Sequence, residues 1–397
     1  MSTEHRLQPG IYFAAGQRPP PCWRVLLVDV TPGARPPDVS HALERLVRTL
    51  EDARDGVVRD LAGQPAEHAQ ATADQFAGLE LLLGFGPRLF DPEHHAPALT
   101  RACRPDFLAY LPETAGLAAL PWARDAASGE ADIALQLTAE HQAGVDAAAV
   151  EVWKLIADEA LPLVVSATFS GFGRPDGRGW LEFHDGVSNL EAHQRLAAIE
   201  AAPDPDWMAG GTYLAFLRLG VDLLAWRALD RARQELLVGR DKLSGLAIIA
   251  TSRDEDGTVV PVAAEPDSAP EVDRIDPPQT TDPILEASHI HRANQNRASP
   301  SAPGGWRMFR QGYDFLDGIG PHGPDVGLNF VSFQRDLSVL QQVLHLPGWL
   351  GEVNFGGPAV PGPGEPTDPG FVTLRAGGLY AVPPRSEPFP GAALFAN

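Results

Sequence analysis

Short apolar stretches of strand length alternate with stretches of helical spacing along most of this chain, and this rhythm limits its fold more than any other feature. The first half shows it in the strand pattern Trp23–Val30, the helix pattern Val39–Ala53, the apolar run Phe76–Phe85, the strand pattern Ile133–Leu137, the helix pattern Ala143–Ile156 and the strand pattern Pro162–Phe169. Two successive strand–helix–strand units predict an α+β layer of the ferredoxin-like type.

The second half repeats the rhythm. We predict a strand at Gly211–Leu219, one amphipathic helix at Asp222–Leu237, a turn at Val238–Gly245, a long surface loop at Asp254–Asp282, a strand at Leu328–Phe333, a helix at Leu337–Leu344 and a late strand at Leu379–Val382. The chain is therefore expected to form two α+β modules, residues 1–170 and 206–397, joined by a connector at 171–205. The glycine-rich start of the connector does not match a dinucleotide-binding fingerprint, because Asp176 replaces the third glycine.

Charge and composition exclude several classes of partner. The 397 residues include 31 basic and 52 acidic ones, and the net charge of -21 would repel nucleic acid and anionic lipid. No stretch reaches the roughly 18 consecutive apolar residues of a membrane helix, and the polar N-terminus lacks an apolar signal core. We therefore expect a cytoplasmic protein without nucleic-acid or membrane partners. The two cysteines, Cys22 and Cys103, match no metal or redox spacing and are expected to be buried, unreactive thiols.

The segment Ser288–Asn294 concentrates two imidazoles, a guanidinium and a carboxamide within seven residues. His289 and His291 would face one side of an extended segment, but on a helix they would diverge by about 200°. If a helix begins here, at most one of them can bind a metal.

Two further segments contain one reactive group each. Asp185 lies in Trp180–Asn189, and Arg310 lies among apolar residues in Met308–Phe315. Taken alone, the first is most simply an Asp-Gly turn capped by an asparagine, and the second a surface or ion-paired arginine. Taken together with a histidine, they supply what a haem peroxidase pocket requires: an iron ligand, a carboxylate that moves a peroxide proton, and a cation that stabilises charge as the O–O bond breaks.

At this level of detail the sequence resembles the dye-decolourising-type haem peroxidases. Phe183-His-Asp-Gly followed by Asn189 is similar to that family's Gly-Phe-x-Asp-Gly-x-x-Asn, and His289-Ile-His-Arg-Ala-Asn is similar to its His-Ile-Arg-Arg-Ala-Asn-Pro-Arg. Arg310-Gln-Gly-Tyr resembles its Arg-Arg-Gly-Tyr, and Gly327–Asp336 resembles its Gly-Leu-Leu-Phe-Val-x-Phe-Gln-Arg-Asp strand. The four motifs occur in the family's order.

The resemblance implies a role for each of these residues. Asp185 would be the distal acid and base, Arg310 the distal arginine and His289 the axial iron ligand. The residues implied to lie against the haem are Gly186, Val187, Ser188, Asn189, Asn294 and Arg310. The family fold is two ferredoxin-like modules with haem b bound mainly by the second, and without a Cys-x-x-Cys-His motif the haem would be non-covalent.

The chain also departs from the family pattern. Glu182 replaces the first glycine of the Asp motif, so we expect the backbone before Phe183 to run differently. Gln295 and Asn296 replace Pro-Arg, which leaves Arg292 or Arg297 to pair with a haem propionate. Gln311 and His291 each replace an arginine.

Several supporting roles stay open at this stage. The other ring N–H of His289 needs an acceptor, for which Asp336, Glu352 and a backbone carbonyl are the candidates. We expect His184 to be structural and His94, His95 and His322 to lie in loops. The aromatic residues Trp180, Trp207, Trp306, Trp349 and Tyr313 are more simply packing residues than electron relays.

The resulting hypothesis is a haem b peroxidase that uses hydrogen peroxide to oxidise small organic donors in one-electron steps. A haem-binding or haem-delivery protein with little turnover, and a dedicated peroxidase or peroxygenase of secondary metabolism, are the alternatives. Association of the chain with copies of itself is left open.

Overall fold

The computed structural model describes residues 6–13, 17–95, 99–100, 102–106, 108–111, 129–187, 189–203, 205–265, 280–294, 307–346, 349, 355 and 370–395. Its strands are β1 (Cys22–Val30), β2 (Glu80–Phe85), β3 (Ile133–Ala139), β4 (Leu163–Phe172), β5 (Thr212–Val221), β6 (Ile248–Arg253), β7 (Val259–Ala263), β8 (Phe309–Gly320), β9 (Gly323–Gln334) and β10 (Val372–Val382). Its helices are α1 (Pro36–Arg54), α2 (Ala66–Gln75), α3 (Gln142–Asp158), α4 (Ala192–Ile199), α5 (Leu223–Arg227), α6 (Arg231–Val238), α7 (Pro283–Glu286), α8 (His289–Ala293) and α9 (Ser338–Leu344). Short 3₁₀ turns lie at Arg59–Leu61, Pro87–Phe90, Asp206–Met208 and Ala392–Phe395.

Eight strands close into an antiparallel barrel in the order β1-β3-β2-β10-β5-β9-β8-β4. The first four strands of the chain form one half, and β5, β8, β9 and β10 form the other, each with the strand order of a ferredoxin-like sheet. The two halves meet through single residue pairs, Phe172 with Asp314 and Ala381 with Phe85. This arrangement confirms the predicted α+β fold; the boundaries at 170 and 205 stay predictions.

The burial of strand β1 explains why most of its residues are apolar. Leu26, Val28 and Val30 pack into the core beneath α1 and α3, whereas Val25 and Leu27 pack into the barrel interior. Successive side chains of a strand point to opposite faces, so a strand covered on both faces is apolar at consecutive positions, as Val25–Val28 is here. A third core lies between the second half of the barrel and its helices, and the candidate site is in this layer.

The predicted helix Asp222–Leu237 is wrong in one respect, because the structure has two helices there. The carboxylate of Asp230 accepts a hydrogen bond from the backbone N–H of Arg233 at 2.9 Å and begins α6 as its N-cap. A side chain that caps a helix start competes with a continuous helix through the same position.

The predicted loop Asp254–Asp282 is also wrong in its first part. The strands β6 and β7 pair as a hairpin, and only its tip, Asp254–Thr258, belongs to the predicted loop type. Residues 266–279 lie outside the described part of the chain. Two further helices, α2 and α4, were not predicted, and β10 is longer than the strand expected at Leu379–Val382.

The two cysteines differ from the expectation. Cys103 is exposed, and Cys22 is partly buried, so neither is the fully buried thiol that its residue type suggested. Within the described ranges, no helix combines the length and apolar character needed to cross a membrane.

Candidate active site

The two histidines of the predicted ligand segment point apart, because the segment is helical. Ser288 is the N-cap of α8, and the helix begins at His289. The side chain of His291 turns back to Ser288, with its Nδ1 2.8 Å from the serine hydroxyl. The structure therefore leaves one of the two imidazoles available to a shared site, as expected for a helical segment.

His289 is buried, and one of its ring nitrogens is hydrogen-bonded to the backbone. Its Nδ1 lies 3.0 Å from the carbonyl oxygen of Phe355, which can only accept, so Nδ1–H is the donor. The ring packs against the rings of Phe355 and Trp349 at centroid distances of 4.5 and 4.8 Å. Burial is the main cause that lowers the pKa of His289 to about 4, and the charges of Arg310 and Arg240 lower it further. The imidazole is therefore neutral at neutral pH, with a free lone pair on Nε2.

Asp185 is held in a turn within the connector. Its Oδ1 accepts the backbone N–H of Gly186 at 2.7 Å, and Gly186 has a φ of +74°, which suits glycine. The other oxygen lies against β8, since a Cβ added to Gly312 would come within 2.6 Å of Oδ2. The absent side chain at Gly312 is what lets the carboxylate approach the strand.

Arg310 is fixed to the same turn through its backbone. The carboxamide of Asn189 donates to the carbonyl of Arg310 at 2.6 Å and accepts its N–H at 3.1 Å. The guanidinium also donates from Nη2 to the carbonyl of Val187 at 3.2 Å. These bonds couple the position of Arg310 to the turn that presents Asp185.

The alternation of side chains along β8 determines which of its residues line the site. Phe309, Tyr313 and Phe315 are buried away from the site, whereas Arg310, Gly312 and Asp314 line it. Burial is the main cause that raises the pKa of Asp314 to about 7, and the charge of Asp185 contributes. The strand therefore places a cation, a gap and a second carboxyl group along one wall.

These groups share one cavity of about 380 Å³, a size typical of small-molecule sites. Asp185, Arg310 and His289 all line it, together with Arg240 and Arg307. The apolar part of its wall includes Leu217, Leu219, Val238, Ile290, Phe330, Leu340 and Leu344. The lining comes entirely from the connector and the second half of the chain.

Only some of the other residues implied to contact the haem line the cavity. Gly186, Val187 and Asn294 line the cavity, and the Asn294 carboxamide donates to the carbonyl of Ile290 at 2.7 Å. Asn189 is not part of the lining, and its carboxamide is hydrogen-bonded to the backbone of Arg310. Ser188 lies outside the described residues, as do Gln295, Asn296 and Arg297.

The acceptor for His289 is the carbonyl of Phe355, which is the backbone alternative of the three considered. Asp336 instead accepts a hydrogen bond from the hydroxyl of Ser338, and Glu352 lies outside the described residues. A backbone carbonyl carries no residue signature, so the sequence offered no way to find it.

The supporting histidines and aromatics have varied surroundings. His184 has its Nε2 2.9 Å from an Arg178 guanidinium nitrogen, whereas His95, in a loop, is buried with its Nε2 2.8 Å from Asp132. Tyr313 stacks on Trp23 in the barrel interior, a packing arrangement. His94 and His322 lie in turns at the surface, as expected. Trp180 and Trp349 line the cavity, and Trp207 stacks on Phe90. Trp306 lies outside the described residues.

Glu182 has a backbone conformation that is unusual for a residue with a side chain. Its φ is +66°, in the left-handed region that glycine favours. The carbonyl of Glu182 accepts a 2.6 Å hydrogen bond from Arg178, which helps to hold this conformation. The expectation that the backbone here differs from that of relatives with glycine stays a prediction.

Fold and site together define an α+β barrel protein whose second half encloses a neutral imidazole, a carboxylate and a guanidinium in one cavity. The family model "Dyp-type peroxidase, C-terminal" matches residues 176–387, more than half of the chain. The chain therefore belongs to the Dyp-type peroxidase family.

Known proteins agree with this membership. A dye-decolorizing peroxidase of Thermobifida fusca is 32% identical over 250 residues, which cover 59% of this chain and 52% of the relative. The matched region thus spans about half the length of that curated relative. Ferric DtpA from Streptomyces lividans has a TM-score of 0.69 at 20% identity, covering 100% of this chain and 99% of the other. A DyP-type peroxidase from Cellulomonas bogoriensis has a TM-score of 0.67 at 18% identity, covering 98% and 97%. At such identities the structural likeness shows the fold.

Proposed function

We propose that this protein is a haem b peroxidase that uses hydrogen peroxide to oxidise small organic donors in one-electron steps. The observation that carries the proposal is the neutral His289, whose Nδ1–H is bonded to Phe355 while the same cavity is lined by Asp185 and Arg310. Family membership supports it, and the relative from Streptomyces lividans is in its ferric form.

The residues present fit a haem group. A macrocycle with apolar edges suits the leucine, isoleucine and phenylalanine wall, and a neutral imidazole is the usual nitrogen ligand for its iron. The two propionates of haem need cations, and Arg240 and Arg307 line the cavity in addition to Arg310. When bound, haem iron would supply the reduction of peroxide and the oxidation of donors.

Each protein group has one task in this scheme. Nε2 of His289 would hold the iron, and the hydrogen bond from Nδ1 to Phe355 fixes the tautomer and orientation that make this possible. Asp185 would accept a proton from peroxide and return it to the departing oxygen, which leaves as water. The guanidinium of Arg310 would stabilise negative charge as the O–O bond breaks.

The test is a haem titration followed by stoichiometric peroxide, monitored by absorption in the Soret region. We expect a haem-dependent Soret band that changes on addition of peroxide and is restored by a phenolic donor. Asp185→Asn should keep the band but slow its response by roughly 10²- to 10⁴-fold. As a matched control, Glu191→Gln changes an exposed carboxylate of the same connector that does not line the cavity.

Two results would contradict the proposal. Absence of a Soret band after haem supplementation would exclude any haem function, and a band that peroxide leaves unchanged would favour a haem-binding protein. An unaltered rate in Asp185→Asn would remove Asp185 from the mechanism.

A further inference from the structure

The cavity wall holds a second carboxyl group, Asp314, to which the proposed mechanism gives no task. It follows Arg310 and Gly312 at alternate positions of β8, so the three share one face of the strand, and all three line the cavity. Asp314 is only 7% exposed. Within the described ranges, no hydrogen bond or ion pair holds its carboxylate. A buried, unpaired carboxyl group is costly in its charged form, which favours the protonated form.

Asp185 occupies the same row of groups. Its Oδ2 lies 2.6 Å from the position that a Cβ of Gly312 would take, and Gly312 directly precedes Asp314 on this face of the strand. Residues at i and i+2 of a strand are about 7 Å apart, so the two carboxyl groups are close enough to interact through a partly water-excluded cavity. The charge of Asp185 indeed contributes to raising the pKa of Asp314.

The surroundings offer little positive charge to offset this repulsion. The charged groups that face Asp314 are Asp185, Asp176, Glu182 and Arg174. Arg174 is the one cation among them, and it already pairs with Asp176 at 2.7 Å and with Glu182 at 3.5 Å. The strand partners directly opposite, Phe172 on β4 and Leu328 on β9, are not titratable.

We propose that Asp314 is a positioning residue that holds a proton beside Asp185, so that this wall has a single carboxylate charge while Asp314 is protonated and two when it is ionised. The protonation itself does not depend on haem chemistry. Its effect on turnover rests on the proposed peroxidase function. A second negative charge would oppose the charge that builds up on peroxide oxygen and would offset part of the stabilisation from Arg310.

The first arm of the experiment observes the carboxyl group directly. Infrared spectra of the haem-loaded protein, and of the protein without added haem, are compared one pH unit below and above the pKa of about 7. We expect a protonated-carboxyl band that disappears on the alkaline side in the wild type and is absent at both pH values in Asp314→Asn. In Asp185→Asn the band should still be present at acid pH but titrate at lower pH than in the wild type, because a charge that disfavours ionisation of Asp314 has been removed.

That last direction follows from the sign of the interaction. A neighbouring negative charge disfavours ionisation of Asp314 and raises its pKa, so removing the charge lowers the pKa. The midpoint in Asp185→Asn must therefore move to lower pH, not higher, and the band is lost earlier in the titration than in the wild type.

The second arm measures the rate of the peroxide reaction against pH. In the wild type we expect the rate to fall by about fivefold to tenfold as the pH rises through the pKa of Asp314, and in Asp314→Asn this fall should be absent. Asp256→Asn is the matched control, since it removes an exposed carboxylate at the tip of the β6–β7 hairpin and should leave both arms unchanged.

The outcomes separate this inference from the proposed function. A wild type without the protonated-carboxyl band on the acid side, or a band that survives in Asp314→Asn, would overturn the role of Asp314. A band that behaves as expected in a protein that does not react with peroxide would support the proton-holding role and contradict the peroxidase function alone.

Discussion

The Nδ1 of His289 lies 3.0 Å from the carbonyl oxygen of Phe355, and this one hydrogen bond decides which ring nitrogen is left for a ligand. Because the carbonyl can only accept, the proton is on Nδ1 and the lone pair is on Nε2. The neighbouring His291 is only two residues away in sequence, yet its Nδ1 is bonded to Ser288 at 2.8 Å. Two imidazoles in one short helix therefore have different hydrogen-bond partners.

Replacing each histidine by alanine tests this difference. We expect His289→Ala to weaken haem binding by about two orders of magnitude or more, because the iron would lose its proposed protein ligand. His291→Ala is the matched control and should bind haem as the wild type does. Haem titrations followed in the Soret region measure both, and equal losses in the two variants would contradict the assignment.

The contact between Asp185 and Gly312 gives a second prediction. In Gly312→Ala the new methyl group would come within 2.6 Å of Oδ2 and displace the carboxylate. We expect the reaction with peroxide to slow by about tenfold to a hundredfold, as small misplacements of catalytic groups do, while haem binding is retained.

Gly318→Ala provides the control on the same strand. A Cβ at Gly318 meets no atom within 4 Å, and neither glycine has a positive φ. Gly318→Ala should therefore react with peroxide at the rate of the wild type. If both variants slow equally, the effect comes from the strand and not from Asp185.

The sequence predicted the fold well because its main signals are local. The apolar run Val25–Val28 of β1 and the helical spacing within α1 each predict burial that the structure confirms. The predicted single helix Asp222–Leu237 is wrong because the side chain of Asp230 caps the start of a second helix. In the sequence, the signal of one capping residue is weaker than the signal of the amphipathic pattern around it.

The site was only partly accessible from sequence. His289, Asp185 and Arg310 stand in recognisable motifs, and the structure brings all three to one cavity. The carbonyl of Phe355 has no residue-type signal. Asp314 did have a sequence signal, since it lies four residues after Arg310 and so falls on the same face of a strand. Its burial, however, depends on how the connector packs against β8.

Glu182 shows a limit of inference from residue type and gives a third prediction. Its φ of +66° costs a residue with a side chain roughly 1–2 kcal/mol. We expect Glu182→Gly to have a free energy of unfolding about 1 kcal/mol higher than that of Glu182→Ala, because both lose the contact with Arg174 but only glycine relieves the backbone. Urea denaturation of the two variants measures the difference, and equal stabilities would show that this backbone carries no strain.

The ion pairs of Glu159 give a prediction with a defined pH range. Its carboxylate accepts two hydrogen bonds from Arg45 on α1, at 2.7 and 3.0 Å, and one from Arg59 at 2.5 Å. The hydrogen bonds from Arg45, followed by those from Arg59, lower the pKa of Glu159 from 4.5 to about 2. A carboxyl group whose pKa is lowered by folding stabilises the protein above its unfolded pKa, and this stabilisation is lost as the pH falls from about 4.5 to about 2.

We therefore expect Glu159→Gln to lower the free energy of unfolding by about 1 kcal/mol at neutral pH, a value reduced for solvent screening because the side chain is 26% exposed. The difference from the wild type should shrink as the pH approaches 2. The control is Glu51→Gln, which changes an exposed glutamate on α1, the helix that carries Arg45. Its stability relative to the wild type should have no such pH dependence. Denaturant unfolding at several pH values measures all three proteins. A deficit of Glu159→Gln that stays constant down to pH of about 2 would mean that packing, and not the charge of Glu159, is what joins α1 to the end of α3.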